Sequence, residues 1–333
     1  MLKDWWIATR YHFIPPSIFP VTIGSIVYWK NNQSISLEYY FIVLLAVVIN
    51  HIALNMTDDY FDYLHAVDQQ GKVDDKPYSG GSKTLTDGSI TPKNMKYMFL
   101  FLYGIVIIFG VYLFLEIGIP ILIFGLIGVF SSIFYTAPPI KFSHYGFGEL
   151  GLLINFGTVL GLGSYYVHAQ NLSLEAFFAT LPCGIMLFSM IIINEIPDVI
   201  EDTQAGKMTL VARYGKEFGV NMYIFSWFIT YLIIIIGIIF SILPIFSIIS
   251  FLPLPLVLQS ISILKNNYQN PIDMAPANLK MIQAHALLSI LIIGSYAITG
   301  IINDGLLVDL IGIVLILAIF YIPATLPLIT KKS

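Results

Sequence analysis

Two groups of carboxylates stand out in a chain that is otherwise mostly hydrocarbon: Asp58-Asp59-Tyr60-Phe61-Asp62, and Asn194-Glu195-Ile196-Pro197-Asp198-Val199-Ile200-Glu201-Asp202. Each follows a long apolar run. A carboxylate at a membrane boundary is costly unless it serves an ion or a substrate. Spacings of three and four residues stack side chains on one helix face, so Asp58 or Asp59 lies with Asp62, and Asp198 with Asp202. Faces of hard oxygen donors suit Mg²⁺, which typically bridges protein carboxylates to substrate phosphates. Two such faces are suited to holding a diphosphate between them.

The elements that must position these groups are membrane helices. The chain has 333 residues, 57% hydrophobic and 11% charged, against about 25% charged in ordinary soluble domains. Stretches of roughly 20 apolar residues span a bilayer as helices, and no alternation suggesting a β-barrel is present. Ten spans are expected, near 13–29, 39–57, 95–115, 118–135, 148–168, 175–196, 219–241, 244–264, 282–302 and 308–328. The class is thus all-α: a polytopic membrane bundle forming one domain over 1–333. No removable signal peptide is expected at the start, because no small-residue cleavage site follows its first apolar run. The single cysteine, Cys183, lies inside a span and reads as a small core residue.

With ten spans, every Lys and Arg except Lys30 falls on one side. The positive-inside bias makes that side cytoplasmic, together with both termini and both aspartate groups. The expected location is the cell (inner or plasma) membrane, with the chemistry at the cytoplasmic mouth. The longer polar segments, about 57–94, 136–147, 198–218 and 265–280, share this face. The first of them carries Lys76-Pro77-Tyr78-Ser79-Gly80-Gly81-Ser82-Lys83. Its glycine pair lets backbone N–H groups converge on an anion, with lysine charge beside it. A weak repeat is visible as well. Asn55 precedes Asp59 by four residues and Asn194 precedes Asp198 by four, which suggests an ancestral duplication.

Other chemistries are poorly served. The six histidines show no zinc-type spacing, and neither a Ser/His/Asp arrangement nor a P-loop is present. Net charge −4 and the lack of a basic aromatic patch argue against nucleic acid. Nothing points to an obligate protein partner. A cation-coupled transporter would need acids toward the bilayer midplane, and these are nearly absent.

Four stretches together resemble the UbiA superfamily of intramembrane prenyltransferases, in the branch that prenylates 1,4-dihydroxy-2-naphthoate. They are Trp6 to Gly24 with Arg10; Asn55 to Asp68; Tyr135-Thr136-Ala137-Pro138-Pro139-Ile140-Lys141 with Gly146-Phe147-Gly148-Glu149; and Asn194 to Arg213. The resemblance covers about residues 5–302. The family core has nine spans, so 308–328 reads as an appended tenth. Two departures are visible. Asp58 stands where the family usually has asparagine, and the Tyr135–Lys141 spacing is longer than in the branch acting on 4-hydroxybenzoate.

The resemblance implies Mg²⁺-dependent transfer of a polyprenyl group from its diphosphate to an aromatic ring carbon. It makes Asp59, Asp62, Asp198 and Asp202 metal ligands, Asp58 and Asp68 auxiliary ligands, and Asn55 and Asn194 ligands or orienters. Arg10, Lys83, Lys141, Lys207 and Arg213 become candidates for contact with diphosphate. Tyr135 could stabilise an allyl cation through its ring. His51, Asn155 and Glu149 are candidates for contact with the acceptor. Homogentisate, 4-hydroxybenzoate or a lipid precursor are the alternative acceptors.

Overall fold

The computed structural model describes residues 2–65, 67 and 81–304. Asp68, Lys76–Gly80 and the expected span 308–328 lie outside them. Among the described residues there is no strand, and the nine expected spans up to residue 302 are all helical. A short helix α1 (Leu2–Ala8) precedes α2 (Pro15–Asn32), α3 (Leu37–Leu64), α4 (Pro92–Ile117) and α5 (Ile119–Phe134). Then come α6 (Gly148–Ala169), α7 (Leu174–Glu195), the short α8 (Val199–Gln204) and α9 (Leu210–Tyr214), α10 (Lys216–Ile239), α11 (Ile245–Asn267) and α12 (Pro271–Asp304). Seven of these are long and apolar enough to cross a membrane. The two other expected spans are α2, which carries three prolines, and α5, whose 16 residues are fewer.

Helix starts are written locally. Ser36, Thr91 and Ser173 cap α3, α4 and α7, each accepting a hydrogen bond from the backbone N–H three residues on, the usual remedy for orphaned first-turn donors. Pro92 and Pro120 sit in the first turns of α4 and α5, where a missing N–H removes nothing. Between those helices Gly118 has φ 104°, a conformation a side chain would resist.

Two boundaries differ from the expected ones. α3 does not stop near residue 57 but continues to Leu64, because its terminal carboxylates find partners that let them stay in helical turns. α12 starts at Pro271 and not near 282, which places Asn278 on a helix beside the second aspartate group.

The frame under the site is a seam of small residues. α2 meets α6 where the Ser25 and Ser164 hydroxyls pair at 2.8 Å and Ser164 Oγ donates to the Val21 carbonyl at 2.6 Å. Gly24 abuts Gly161, Gly161 abuts Thr180, and Gly157 faces Gly184. Without a hydrophobic drive between helices inside lipid, such close approach supplies the packing and hydrogen bonds that hold a bundle. A Cβ on Gly184 would lie 2.6 Å from Gly157 Cα and collide with the Leu153 carbonyl. Cys183, beside it, is a buried core thiol 3.6 Å from Ser289 Oγ.

Gly184→Val is therefore expected to lower stability by about 1–3 kcal/mol through overpacking. Gly294, around which a Cβ meets nothing within 4 Å, should accept Ala with no loss. Thermal unfolding of the purified variants in detergent checks the contrast, and equal midpoints would remove the seam from the account.

Candidate active site

The final two turns of α3 present Asp58, Asp59 and Asp62 inward, with Asp59 3% and Asp62 6% exposed. Carboxylates this dry need compensation, and three separate segments supply it. From the N-terminal segment, Arg10 Nη1 reaches Asp58 Oδ2 at 3.0 Å and Asp59 Oδ1 at 3.5 Å. From the loop before α4, the Ser82 N–H donates to Asp59 Oδ1 at 3.2 Å. From the loop after α8, Lys207 Nζ donates to Asp62 Oδ2 at 2.8 Å.

Asn55, one turn before Asp59, donates to the Thr9 carbonyl at 3.0 Å and so fixes the stretch carrying Arg10. Asn194 plays a parallel part in the other group. Its Oδ1 accepts from Asn278 Nδ2 at 2.7 Å, tying the end of α7 to α12. The helix then breaks over Ile196–Pro197, Asp198 opens α8, and the Asp202 N–H donates to the Asp198 carbonyl at 2.8 Å. Asp198 is half-buried and Asp202 buried. Burial pushes the Asp202 carboxyl up to about 7, with Lys207 opposing the shift. Burial alone would lower the Lys207 ammonium, but the carboxylates of Asp62, Asp202 and Asp58 outweigh it and hold the pKa well above the ordinary lysine value. Lys207 thus stands between the two aspartate groups.

The stretch before α6 completes the mouth. Lys141 Nζ donates to His65 Nε2 at 2.7 Å. Burial, then the Lys141 charge, pull His65 below its usual value, which keeps the accepting ring neutral. His144 Nε2 lies 3.8 Å from Asp62 Oδ1. Tyr135, at the end of α5, is in electrostatic reach of Asp58, Lys207, Glu195 and Glu149 and meets Phe142 edge-on at 5.4 Å. Arg10, Lys83 and Lys141 all have positive φ, at 49°, 63° and 46°.

Of the remaining candidates, three have other hydrogen-bond partners and Lys83 is exposed. His51 Nδ1 pairs with Ser17 Oγ at 2.5 Å, a buried contact between α3 and α2. Asn155 Nδ2 donates to the Gly151 carbonyl of its own helix at 2.8 Å. Arg213 is exposed, and its Nη2 donates to the Tyr145 carbonyl at 3.0 Å. Lys83 is exposed on the loop whose Ser82 meets Asp59. Sequence reasoning missed His65, His144, Ser82 and Asn278. His144 had a visible signal, being the polar residue three after Lys141, whereas Asn278 had none.

The donor chemistry fits Mg²⁺. Among the described residues no three His, Cys, Asp or Glu side chains close around a common point. Mg²⁺ does not require that, since it keeps waters and commonly takes one or two carboxylates plus substrate phosphates. The buried Asp58 Oδ1 and Asp62 Oδ1 have no hydrogen-bond partner, and they are hard oxygens of the kind it binds.

The UbiA prenyltransferase family model matches residues 17–282, a range that contains both aspartate groups. The chain belongs to the UbiA prenyltransferase family. It is therefore a multi-pass membrane prenyltransferase. Among its relatives are the 1,4-dihydroxy-2-naphthoate octaprenyltransferases of Bacillus subtilis, 25% identical over 68% of this chain and 71% of that protein, and of Escherichia coli, 24% identical over 64% and 69%. The fold also matches the solved structure of a UbiA homolog from Archaeoglobus fulgidus bound to DMAPP and Mg²⁺. That match has TM-score 0.65 and 14% identity, and covers 89% of this chain and 98% of the other.

If this mouth is where a UbiA prenyltransferase works, Asp59→Ala, Asp62→Ala, Asp198→Ala and Asp202→Ala should each abolish turnover with expression intact. Lys207→Ala should lower kcat by at least about 100-fold, the scale of losing a preorganised charge in a dry site. Steady-state assays of the purified variants decide. Activity near wild type in any two of the aspartate variants would break the assignment.

Proposed function

We infer that this protein transfers a polyprenyl group from polyprenyl diphosphate to 1,4-dihydroxy-2-naphthoate, with Mg²⁺, at the cytoplasmic face of the cell membrane. The observation that carries the reading is the meeting of two carboxylate groups, from opposite halves of the chain, across Lys207. Ionising an allylic C–O bond places negative charge on the departing diphosphate. Arg10 and Lys207 are the cations placed beside the carboxylates to meet that charge. Bound Mg²⁺ would supply further neutralisation of the leaving group through Asp59, Asp62, Asp198 and Asp202, with Asp58 beside them. Tyr135 offers a ring face to the allyl cation. Asp68, outside the described residues, and Lys83 and Lys141 at the rim remain candidates for metal and phosphate respectively.

The acceptor rests on the relatives. Three of its bacterial relatives carry the naphthoate name. A bicyclic acceptor also buries more apolar area than a single ring, each further CH-sized group contributing up to about 0.8 kcal/mol. Tyr135 and Phe142 provide aromatic surface at the mouth. Orientation rests on the asymmetry of the basic residues, since Lys30, the exception, pairs with Glu175 at 2.9 Å at the opposite end.

Purified protein given Mg²⁺, labelled polyprenyl diphosphate and a panel of acids should prenylate 1,4-dihydroxy-2-naphthoate and leave 4-hydroxybenzoate untouched. Carboxyl-labelled naphthoate should release its label as CO₂ in step with prenylation. Equal rates on both acids, or product that keeps its label, would move the assignment to another acceptor within the family.

A further inference from the structure

Glu149 lies in the first turn of α6 and is 1% exposed. Its Oε1 accepts a 2.6 Å hydrogen bond from the Leu210 N–H. Two more bonds join the same pair of segments. The Met208 N–H donates to the His144 carbonyl at 3.0 Å, and Arg213 Nη2 donates to the Tyr145 carbonyl at 3.0 Å. Between them Gly146, at φ 75°, brings its backbone against Met208, where an added Cβ would lie 3.4 Å from the Met208 carbonyl oxygen. Residues 144–149 therefore clasp residues 208–213.

Lys207 sits at the upstream end of the clasped segment, and its own N–H donates to the Asp202 carbonyl at 2.8 Å. Its backbone is thus tied on both sides, and its ammonium is delivered to Asp62 across the mouth. We propose that Glu149 is a positioning residue that sets Lys207 against Asp62 by accepting the Leu210 N–H, with no role as acid, base or acceptor ligand. This rests on the reading of the mouth as a prenyl diphosphate site. It is specific in what it asks of the side chain. An sp² oxygen at the Oε1 position is needed, and the negative charge is not. Displacements of about 1 Å in a group that meets developing charge can cost 100-fold in rate, so a single lost tether is enough to be seen.

The test uses the full chain in detergent or nanodiscs. Binding of an unreactive prenyl thiolodiphosphate with Mg²⁺ is measured beside turnover, so that one readout does not depend on the acceptor. Glu149→Ala should weaken thiolodiphosphate binding at least about tenfold and cut kcat/KM for prenyl diphosphate by about 100-fold, leaving KM for the acceptor within about threefold. Glu149→Gln keeps the accepting oxygen and should restore both to within about threefold of wild type, since the hydrogen bond it preserves is the whole of the proposed effect.

Leu210→Pro removes the donor instead. Leu210 is the first residue of α9, where proline is tolerated, and Thr209 before it is already extended at ψ 168°, as a residue preceding proline must be. This variant should reproduce the Glu149→Ala defect, and the double variant should be no worse than either single one. Should Glu149→Ala fail to fold, Glu149→Gln and Leu210→Pro decide by themselves. Glu149→Gln as impaired as a catalytic aspartate variant, or Leu210→Pro at wild-type affinity and rate, overturns the proposal. Wild-type protein that binds the thiolodiphosphate but forms no prenylated naphthoate overturns the acceptor reading and leaves this one standing.

Discussion

The ion pair between Lys207 and Asp62 is the contact around which the mouth of this bundle is arranged. Both side chains are largely withdrawn from water, and a buried pair stripped of one member leaves a charge uncompensated, typically at 3–5 kcal/mol. That penalty explains several features at once. It lets α3 keep its helix through three aspartates, and it draws the loop after α8 onto the opposite half of the molecule. It also gives meaning to the tethers that hold that loop, because the ammonium is useful only where it meets the carboxylate. Arg10 repeats the logic on Asp58 and Asp59 from the N-terminal segment.

The same contacts describe a site that is balanced before any ligand arrives. The α3 carboxylates meet cations carried on loops, while Asp58 Oδ1 has no hydrogen-bond partner and Asp62 Oδ1 has only the His144 ring, 3.8 Å away. A metal–diphosphate complex would bring both charges that such a site could use, cations for the carboxylates and oxyanions for Arg10 and Lys207. Such a complex would exchange partners without leaving an ion bare, which is the condition for moving charge through a dry space at low cost.

Much of this was legible in the sequence, for identifiable reasons. Apolar runs report helices wherever lipid surrounds them, so all nine expected spans that fall in the described residues are helical. The spacing of Asp58, Asp59 and Asp62 reported their shared face, because helix geometry is periodic. What periodicity does not carry is the identity of partners far along the chain. The expected end of α3 near residue 57 fell short because the compensating cations lie 48 and 145 residues away. Asn278 was invisible for the same reason: its partner Asn194 is 84 residues distant. His51 and Asn155, candidates for acceptor contact in sequence, make hydrogen bonds to Ser17 and to the Gly151 carbonyl. An isolated polar residue in a span more often satisfies an interhelical or same-helix bond than a ligand. The repeat of Asn four residues before Asp acquires a mechanical sense, since each asparagine stitches its motif to a remote segment.

The positive φ angles of Arg10, Lys83 and Lys141 bear on how this enzyme could be re-engineered. For a residue with a Cβ that backbone conformation costs roughly 1–2 kcal/mol, and asparagine tolerates it better than most. Replacing any of the three by asparagine would relax the chain while discarding a charge. A selection for heat resistance alone would drift toward such changes, and if these cations meet the diphosphate it would shed activity on the way, the familiar opposition between robustness and a strained working site. Libraries meant to harden the protein should hold these three positions fixed and draw their gains from the lipid-facing helices.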